Sequence, residues 1–417
     1  MTDKEFISKN KDADVRSLAL RKAPEGVHLS FCLEQIEGYQ LAKKKLPTWA
    51  AKFEEYLHSD FLFPPHLSME QCSSEATAIY KKGIVDRLGV TSLTDLTGGF
   101  GVDFSYMARG LNSATYVERQ EVLCERARHN MPLLGVPNAT VIKADCEEYL
   151  SNLPAARRDA CQSKNSNLNS KHLFFLDPAR RDNCGRKVYG IGDCTPDVSV
   201  LQDKLLDMAD YVLLKLSPML DITQALKALH NVTEVHVVSL KGECKELLLL
   251  MRKETVTQPT YYCVNLDTDD EMFVCGLEKD TVDIADAVAA GMTLHEPNAS
   301  IMKAGVQDIF GQRYGLRKLH PMSNLFVGAG PSSINSHHSS VIPARSFIII
   351  SIYDFSKQSL KALQRDVPKA NITIRNFPSA VADLRKRLKI KEGGNEYLFV
   401  TTLADSSHAI LHCQRTP

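Results

Sequence analysis

A carboxylate followed by a run of glycines is the part of this 417-residue sequence best suited to ligand chemistry. The run, TDLTGGFGVD at residues 94–103, lies between a strand-like and a helix-like segment, where glycines let the backbone approach a ligand closely. A dinucleotide pattern GxGxxG would use Gly99 and Gly101, but Phe104 stands where its third glycine belongs. The other pattern, acid-x-x-x-Gly-x-Gly, fits cleanly and directs the Asp95 carboxylate at the ammonium of a bound amino-acid moiety.

Three further polar positions each follow a strand-like segment downstream. Glu118 has the reach to accept hydrogen bonds from both hydroxyls of a ribose, although nicotinamide enzymes place an acid similarly. Asp145 either accepts an adenine amino proton, with Cys146 beside the ring, or caps the helix that follows. Asp177 and Pro178, in DPAR, either form a rigid polar lip beside a substrate or simply turn the chain. Open α/β sheets bind ligands at the carboxyl ends of their strands, so we expect these positions to converge.

Alternating strands and helices must hold these residues. Strands are predicted at residues 92–95, 114–117, 140–143, 173–176, 211–216 and 234–239, and helices at residues 104–109, 122–130 and 222–230. Apolar strands spaced by helices predict a parallel sheet covered on both faces, hence an α/β fold. A helix over residues 69–88 precedes them, with Ser73 or Ser74 as its N-cap and Gly89 beyond its end. An antiparallel pair, residues 261–266 and 272–275, follows them.

The flanking regions differ in texture from this core. Residues 1–58 have the apolar spacing of helices, and a proline-containing linker follows at 62–67. After residue 280 we expect a helix at 298–314, a strand at 325–327, a low-complexity linker and a small α+β module. The predicted domains are a helical N-terminal region (1–68), the α/β domain (69–280) and two small C-terminal domains (281–330 and 341–417).

Composition excludes several classes of protein. Hydrophobic residues make up 44% and charged residues 24%, which is typical of a soluble globular chain and not of a disordered one. No apolar run approaches the ~18–20 residues of a membrane span, and the polar first residues predict no secretory signal. Eleven cysteines without a CxxC pair suit reduced thiols. We therefore expect a cytoplasmic protein with no metal site.

The charge distribution is uneven although the total is neutral. Residues 341–417 carry 12 lysines and arginines against 6 aspartates and glutamates, while the whole chain has 50 of each class. A basic module on an acidic body indicates a polyanionic partner, although a solvated surface gives the same excess. The candidate phosphate contacts are Arg385, Lys386, Arg387 and Lys389, on one predicted helix.

The ordered motifs of residues 69–280 resemble those of the class I S-adenosylmethionine-dependent methyltransferases, which have a Rossmann-like sheet. The resemblance implies that S-adenosylmethionine is the cofactor, with Glu118 at the ribose, Asp145 and Cys146 at the adenine and 177–180 at the methyl acceptor. The positions implied at the methionine moiety are Asp95, Thr97, Gly99 and Gly101. Thr97 departs from the family, which usually has glycine there.

Two long segments carry a second resemblance. HEPNASIMKAGVQDIFGQRYGLRKLHP (residues 295–321) and IRNFPSAVADLRKRLKIKEGGNEYLF (residues 374–399) are similar to a bacterial methyltransferase family with ferredoxin-like and C-terminal THUMP-like domains. THUMP domains are RNA-binding modules of tRNA-modifying enzymes. The resemblance therefore implies an RNA partner, tRNA or rRNA.

The DPAR sequence suits methylation of nitrogen. Asp177 and the carbonyl near Pro178 can accept hydrogen bonds from an acceptor N–H, and Arg180 either contacts phosphate or pairs with surface acids, as does Arg181. Carbon methylation of uracil needs a cysteine nucleophile after the next strand, and residues 213–220 contain none. Two alternatives stay open: a non-catalytic RNA-binding protein that retains the fold, and a methyltransferase that acts on a protein or small molecule.

Overall fold

The computed structural model describes residues 1–55, 61–153, 170–180, 190–254, 256–268, 272–277, 281–328 and 342–416. The chain forms two compact units. Unit 1 consists of Met1–Glu234 with Leu247–Thr257, and unit 2 of Val235–Glu246 with Gln258–Pro417. Residues 1–68, predicted as a separate region, belong to unit 1.

Unit 1 begins with short helices joined by aromatic packing. These helices are α1 (Asp3–Asn10), α2 (Val15–Ala19), α3 (Leu29–Lys45), α4 (Pro47–Glu55) and α5 (His66–Gln71). Trp49, fully buried on α4, packs edge-on against Phe61 and against Phe100, whose ring centroid is 4.8 Å away. Because Phe100 belongs to the glycine run, this contact anchors the N-terminal helices beside that loop.

Alternating strands and helices form the rest of unit 1 in the described ranges. Its strands are β1 (Ser92–Asp95), β2 (Ser113–Glu118), β3 (Ala139–Lys143), β4 (His172–Leu176), β5 (Ala179–Arg180), β6 (Cys194–Thr195), β7 (Tyr211–Leu216), β8 (Val232–Leu240) and β9 (Glu243–Met251). Its helices are α6 (Glu75–Leu88), α7 (Val102–Met107), α8 (Glu121–Leu133), α9 (Cys146–Asn152), α10 (Val198–Met208) and α11 (Ile222–Ala228). The β8–β9 hairpin carries the chain from unit 1 into unit 2 and back.

The sheet of unit 1 has the order β9-β7-β4-β1-β2-β3. Strands β1, β2, β3, β4 and β7 pair in parallel, as the apolar pattern predicts, and β9 runs antiparallel to β7. The sequence analysis missed β9. β1 lies at the centre of this order, so the loop after Asp95 opens at the middle of the carboxyl edge.

The helix predicted over 69–88 is in fact two helices. Cys72 and Ser74 have extended backbone, which ends α5 and begins α6. The Ser74 side chain accepts a hydrogen bond from the Thr77 N–H (3.3 Å), so Ser74 is the N-cap. Gly89 ends α6 with φ of 65°, a left-handed conformation that glycine adopts readily, as predicted.

Unit 2 contains a seven-stranded sheet with the order β13-β14-β12-β15-β18-β17-β16, in which only the pair β16–β17 is parallel. Its further strands are β10 (Thr260–Asn265), β11 (Phe273–Cys275), β12 (Thr293–Pro297), β13 (Arg317–Lys318), β14 (Phe326–Gly328), β15 (Ala344–Tyr353), β16 (Lys369–Ile374), β17 (Lys391–Thr402) and β18 (His408–Arg415). Its helices are α12 (Ala299–Ala304), α13 (Gln307–Arg313), α14 (Lys357–Asp366) and α15 (Val381–Leu388). β10 and β11 form the predicted antiparallel pair.

Alternate residues of β17 enter different cores on the two faces of this sheet. Leu398 and Val400 pack with Leu363 of α14 and Leu384 of α15, whereas Phe399 packs with apolar residues of β12, β14 and β15. The helix predicted at 298–314 is wrong as a single element. Gly305, at φ of 75°, ends α12, and the chain restarts as α13.

Candidate functional site

Asp95 lies at the end of β1, buried beneath the loop that follows it. Its Oδ1 accepts the Thr97 N–H at 2.9 Å, and only 1% of the residue is exposed. Burial raises the pKa of Asp95 well above its ordinary value; the Thr97 N–H opposes this shift, and the carboxylates of Asp103, Asp177 and Glu118 reinforce it. A carboxyl in this state gains most from a ligand that brings a positive charge.

The glycines after Asp95 shape a loop without side chains above it. Gly99 and Gly101 have φ of 56° and 81°, in the left-handed region where other residues are strained. A Cβ on Gly98 would lie 2.3 Å from the Tyr116 ring, so Gly98, which the pattern analysis passed over, is also required. The Tyr116 hydroxyl donates to the Gly99 carbonyl from below. These contacts fix the backbone conformation of the loop.

Glu118, at the end of β2, fixes this loop. Oε2 accepts the Gly99 N–H at 2.9 Å, and Oε1 accepts the Gln120 N–H at 2.8 Å. Each carboxylate oxygen has a second lone pair, so Glu118 can still receive two hydroxyl hydrogens. The residue is 8% exposed.

Asp145 is the N-cap of α9, one of the two roles predicted for it. Its Oδ1 accepts the Glu148 N–H at 2.8 Å and so begins α9. The residue is exposed, and Oδ2 has no hydrogen-bond partner among the described residues. Cys146 beside it is buried, and burial raises the pKa of its thiol to about 12. Cys146 is therefore an un-ionised, apolar neighbour at this position.

Asp177 follows β4 and is tied to the glycine loop through Thr97. The Asp177 N–H donates to Thr97 Oγ1 at 2.6 Å, and Thr97 Oγ1 lies 3.5 Å from Asp95 Oδ1. The hydroxyl that distinguishes Thr97 from glycine thus joins Asp95 and Asp177. Pro178 is buried, and the backbone of Arg180 forms β5 with β6. The side chain of Arg180 and all of Arg181 lie outside the described residues.

Lys215 holds the Asp177 side chain from the other direction. Its ammonium lies 2.5 Å from Asp177 Oδ2 and 3.5 Å from Asp103 Oδ2. Lys215 lies near the end of β7, the strand beside β4, and its side chain is 12% exposed against 41% for Asp177. The carboxylate is consequently fixed through Oδ2, and Oδ1 has no hydrogen-bond partner among the described residues.

Beneath this pair lies a buried ionic cluster. Lys81 of α6, with a fully buried side chain, lies 3.1 Å from Asp103 Oδ1, outside hydrogen-bond geometry, and Ser73 Oγ donates to Asp103 Oδ2 at 2.7 Å. Burial raises the pKa of Asp103, but the ammonium groups of Lys81 and Lys215 and the Ser73 hydroxyl hold it below its ordinary value. The segment before α6 thus reaches the site: Ser74 caps the helix and Ser73 binds Asp103.

Sequence reasoning missed Lys81, Asp103 and Lys215. The available signal was a lysine inside the buried strand YVLLKL, because an unpaired ammonium is rarely buried. Its partners are 38 and 112 positions away, so the sequence offers no local reason to choose them.

The four basic candidates on and beside α15 do not act alike. Arg385 is partly buried; Nη1 donates to the Ala370 carbonyl at 3.4 Å, and Nη2 lies 3.8 Å from a Glu392 carboxylate oxygen. The Arg387 guanidinium lies over the Phe355 ring, 5.3 Å from its centroid, while Lys386 and Lys389 are exposed. Arg385 therefore serves unit 2 internally, and the other three face solvent.

Within the described ranges, no group of three or more His, Cys, Asp or Glu side chains could hold a metal ion. No helix in that part of the chain is long and apolar enough to cross a membrane. The described cysteines are free thiols.

The carboxyl edge of unit 1 thus gathers several carboxyl groups, two of which, Asp103 and Asp177, pair with lysines. Asp95 and Glu118 can bind an ammonium and vicinal hydroxyls beside a glycine-lined backbone. Asp177 presents one oxygen as a hydrogen-bond acceptor. The arrangement suits a ligand that combines an amino acid with a nucleoside, next to an N–H-bearing substrate.

Comparisons with known proteins identify the family and its domains. Residues 344–415 match the THUMP domain-like family, and residues 294–332 match a ferredoxin-like domain family. A solved structure from Porphyromonas gingivalis W83, described as a candidate methyltransferase, matches with a TM-score of 0.82 and 31% sequence identity, covering 100% of this chain and 98% of that one.

Two curated relatives come from Mycobacterium tuberculosis, strains CDC 1551 / Oshkosh and ATCC 25618 / H37Rv. Both are named as uncharacterized S-adenosylmethionine-dependent methyltransferases. Each is 24% identical over 313 residues, which span 73% of this chain and 75% of the relative.

Proposed function

Since the chain belongs to an S-adenosylmethionine-dependent methyltransferase family with ferredoxin-like and THUMP-like domains, we propose that it methylates a base nitrogen in structured RNA, tRNA or rRNA. The protein is an enzyme, and S-adenosylmethionine is its methyl donor. The earlier alternative of a non-catalytic RNA-binding protein is set aside.

The residues at the carboxyl edge fit this cofactor. Asp95 takes the ammonium of the methionine moiety, Glu118 the two ribose hydroxyls, and Oδ2 of Asp145 the adenine amino group beside Cys146. Positive φ at Gly99 and Gly101 sets the backbone conformation of the loop that meets the ligand. S-adenosylmethionine supplies, when bound, an electrophilic methyl group on its sulfonium.

The chain's own task is to hold an acceptor nitrogen in line with that methyl group at ~3–3.5 Å. The single observation that carries the reaction is the double fixing of Asp177, by Thr97 through its backbone and by Lys215 through Oδ2. Oδ1 then accepts an N–H of the substrate and raises the electron density on nitrogen. Pro178 restricts the backbone beside the acceptor, and contact of Arg180 with the substrate phosphate stays a prediction.

Two observations support RNA as the substrate. The THUMP domain-like family matches residues 344–415, and residues 341–417 carry twice as many basic as acidic residues. Lys386, Arg387 and Lys389 contribute to phosphate contact, with Arg385 in a supporting position. The predicted cytoplasmic location is consistent with this substrate and stays a prediction.

Nucleoside mass spectrometry of RNA from a deletion strain and its parent tests the proposal. We expect one methylated nucleoside to disappear from tRNA or rRNA, to return with the wild-type gene, and to stay absent with Asp177→Ala. An unchanged profile in every RNA class would favour the alternative, a methyltransferase for a protein or small molecule.

A further inference from the structure

A buried glutamate in unit 2 holds two arginines half in solvent. Glu296 lies on β12 and is 5% exposed. Arg345, its register partner on β15, donates from Nε to Glu296 Oε2 at 3.0 Å and also from Nη2. Arg375, just after β16, donates from Nε to Oε1 at 2.7 Å, and its Nη2 lies 2.5 Å from the same oxygen. Each carboxylate oxygen therefore receives one guanidinium.

The cluster has more positive charge than its carboxylate neutralises. The side chain of Glu296 is 7% exposed, whereas those of Arg345 and Arg375 are 47% and 40% exposed. His295 beside Glu296 bonds to Ser346 and Thr293, and burial lowers its pKa to about 4, so it stays neutral. The glutamate and its two arginines together carry a net positive charge, and the two guanidinium groups are partly exposed to solvent.

A third arginine lies on the same face of the sheet. Arg415 of β18 is the register partner of Phe347, and Phe347 and Arg345 are two residues apart on one strand. Side chains two apart share a face, and a diagonal neighbour on the next strand lies ~7–8 Å away. Arg415 is exposed, so it extends the positive surface of the cluster.

Structural pairing alone does not require this arrangement. A link between β12 and the end of β16 needs one arginine, Arg375, and a buried ion pair is weak evidence for stability. Arg345 Nη1 has no hydrogen-bond partner among the described residues, whereas Arg375 Nη1 donates to the Ile374 carbonyl at 2.8 Å. Arg345 therefore offers an N–H to a phosphate oxygen, and Arg375 contributes its exposed positive charge. Glu296 fixes both guanidiniums in advance, so less side-chain freedom is lost on binding.

We propose that Arg345 and Arg375, fixed by Glu296 and flanked by Arg415, form a binding site for the phosphodiester backbone of the RNA substrate. The site rests on the proposed function, since it supplies contacts to that RNA. Glu296 belongs to the segment at 295–321 and Arg375 to the segment at 374–399, the two distinctive segments that the cofactor site does not use.

Binding of total bacterial tRNA and of rRNA fragments, titrated at several salt concentrations, tests the site. The variants are R345Q/R375Q and the triple E296Q/R345Q/R375Q, which leaves no unpaired buried carboxylate if the double variant fails to fold. The control, K357Q/K361Q, removes two exposed charges from α14, on the other face of the sheet. A thermal melt and S-adenosylmethionine binding accompany each titration.

We expect a folded arginine variant to lose two phosphate contacts, so the slope of log affinity against log salt falls by about 1.4–1.8. Tenfold or greater weakening at low salt should accompany it, while the control changes little. The site alone is overturned if the folded triple variant binds RNA as tightly as the wild type does. It is also overturned if the control variant loses as much RNA affinity as the arginine variants do. A wild type that binds neither RNA overturns the site together with the proposed substrate.

Discussion

The two units use charge in opposite ways. In unit 1, Asp95 and Asp103 are buried, and Lys81 and Lys215 surround Asp103. In unit 2, the arginines of the Glu296 cluster and most of the basic residues near α15 face solvent. The first arrangement fixes a few atoms relative to one another, as a small cofactor and a reaction require. The second presents a broad positive surface, as a polyanion requires.

The largest expected effect is on the buried pair. Lys81→Met should lower the free energy of unfolding by about 3–5 kcal/mol, because Asp103 loses the fully buried one of its two lysine partners. Denaturant unfolding measures this, with Lys82→Met as the control. Lys82 pairs with Asp86 near the surface, and such pairs contribute ~0.3–0.5 kcal/mol. Equal losses in the two variants would contradict the contrast between buried and exposed charge.

Asp103 should make the folded protein less stable as the pH falls into the acid range. Because its pKa is lowered in the folded protein, its stabilisation is present above the ordinary carboxyl pKa. It is lost as pH falls through the lowered value. Unfolding measured across this acid range should show a smaller slope in Asp103→Asn than in the wild type. An identical slope would show that Asp103 is not held ionised by its lysines.

Asp95 should show the opposite sign. Its raised pKa in the free protein means that stability is lost as pH rises through that value. A bound ammonium favours the ionised form, so affinity for S-adenosylmethionine should rise over the same range. Asp95→Asn should remove this dependence and weaken binding by about 1.5–3 kcal/mol, the contribution of a charged hydrogen bond. Calorimetry at several pH values measures both, and a variant with wild-type affinity would remove Asp95 from the ammonium site.

The sequence predicted the strand-end positions because their evidence is local. An apolar strand that stops at Asp95, Glu118 or Asp177 brings each residue to the carboxyl edge once the strands pair in parallel. Long-range contacts lack such evidence. Lys215 and Asp177 are 38 positions apart, and Glu296 and Arg375 are 79 apart. Their pairing depends on which strands become neighbours and on how the sheet of unit 2 closes.

The basic residues of α15 also show that a local sequence pattern does not predict the partner of each side chain. Four basic residues within 385–389 suggested one surface, yet Arg385 turns to Ala370 and Glu392 while Lys389 occupies the left-handed position that ends α15. Helix 298–314 failed because one glycine, Gly305, adopts positive φ. The local sequence pattern therefore predicts which face of a strand is buried, but it does not predict which residue each side chain contacts.

Thr97 offers a smaller test of the site in unit 1. Thr97→Gly restores the residue usual in class I methyltransferases but removes the acceptor for the Asp177 N–H, a loss of about 1 kcal/mol. We expect a lower methyl-transfer rate with cofactor affinity nearly unchanged, and recovery in Thr97→Ser. Steady-state kinetics beside calorimetry separates the two effects. A Thr97→Gly variant with the full methyl-transfer rate would show that Asp177 does not depend on the Thr97 hydroxyl.

The smallest effects belong to the helix in unit 2. Replacing Lys386, Arg387 and Lys389 with glutamine should reduce the slope of log RNA affinity against log salt by up to ~0.7–0.9 per contact. Arg385→Gln should alter the melting temperature more than the slope, because its guanidinium is bonded within unit 2. RNA titrations at several salt concentrations distinguish these residues. Equal slopes in the triple variant and the wild type would show that these three residues do not contact RNA.

The most direct test of the central claim uses RNA from the deletion strain, which lacks the methyl group if the proposed function holds. Single-turnover transfer from labelled S-adenosylmethionine is measured for wild type and Asp177→Ala, with cofactor affinity determined on the same preparations. Asp177→Ala should bind the cofactor like the wild type and transfer the methyl group about a hundredfold or more slowly, the contribution of a positioned acid–base group. A full transfer rate in Asp177→Ala would contradict the account and leave Asp177 as a turn residue.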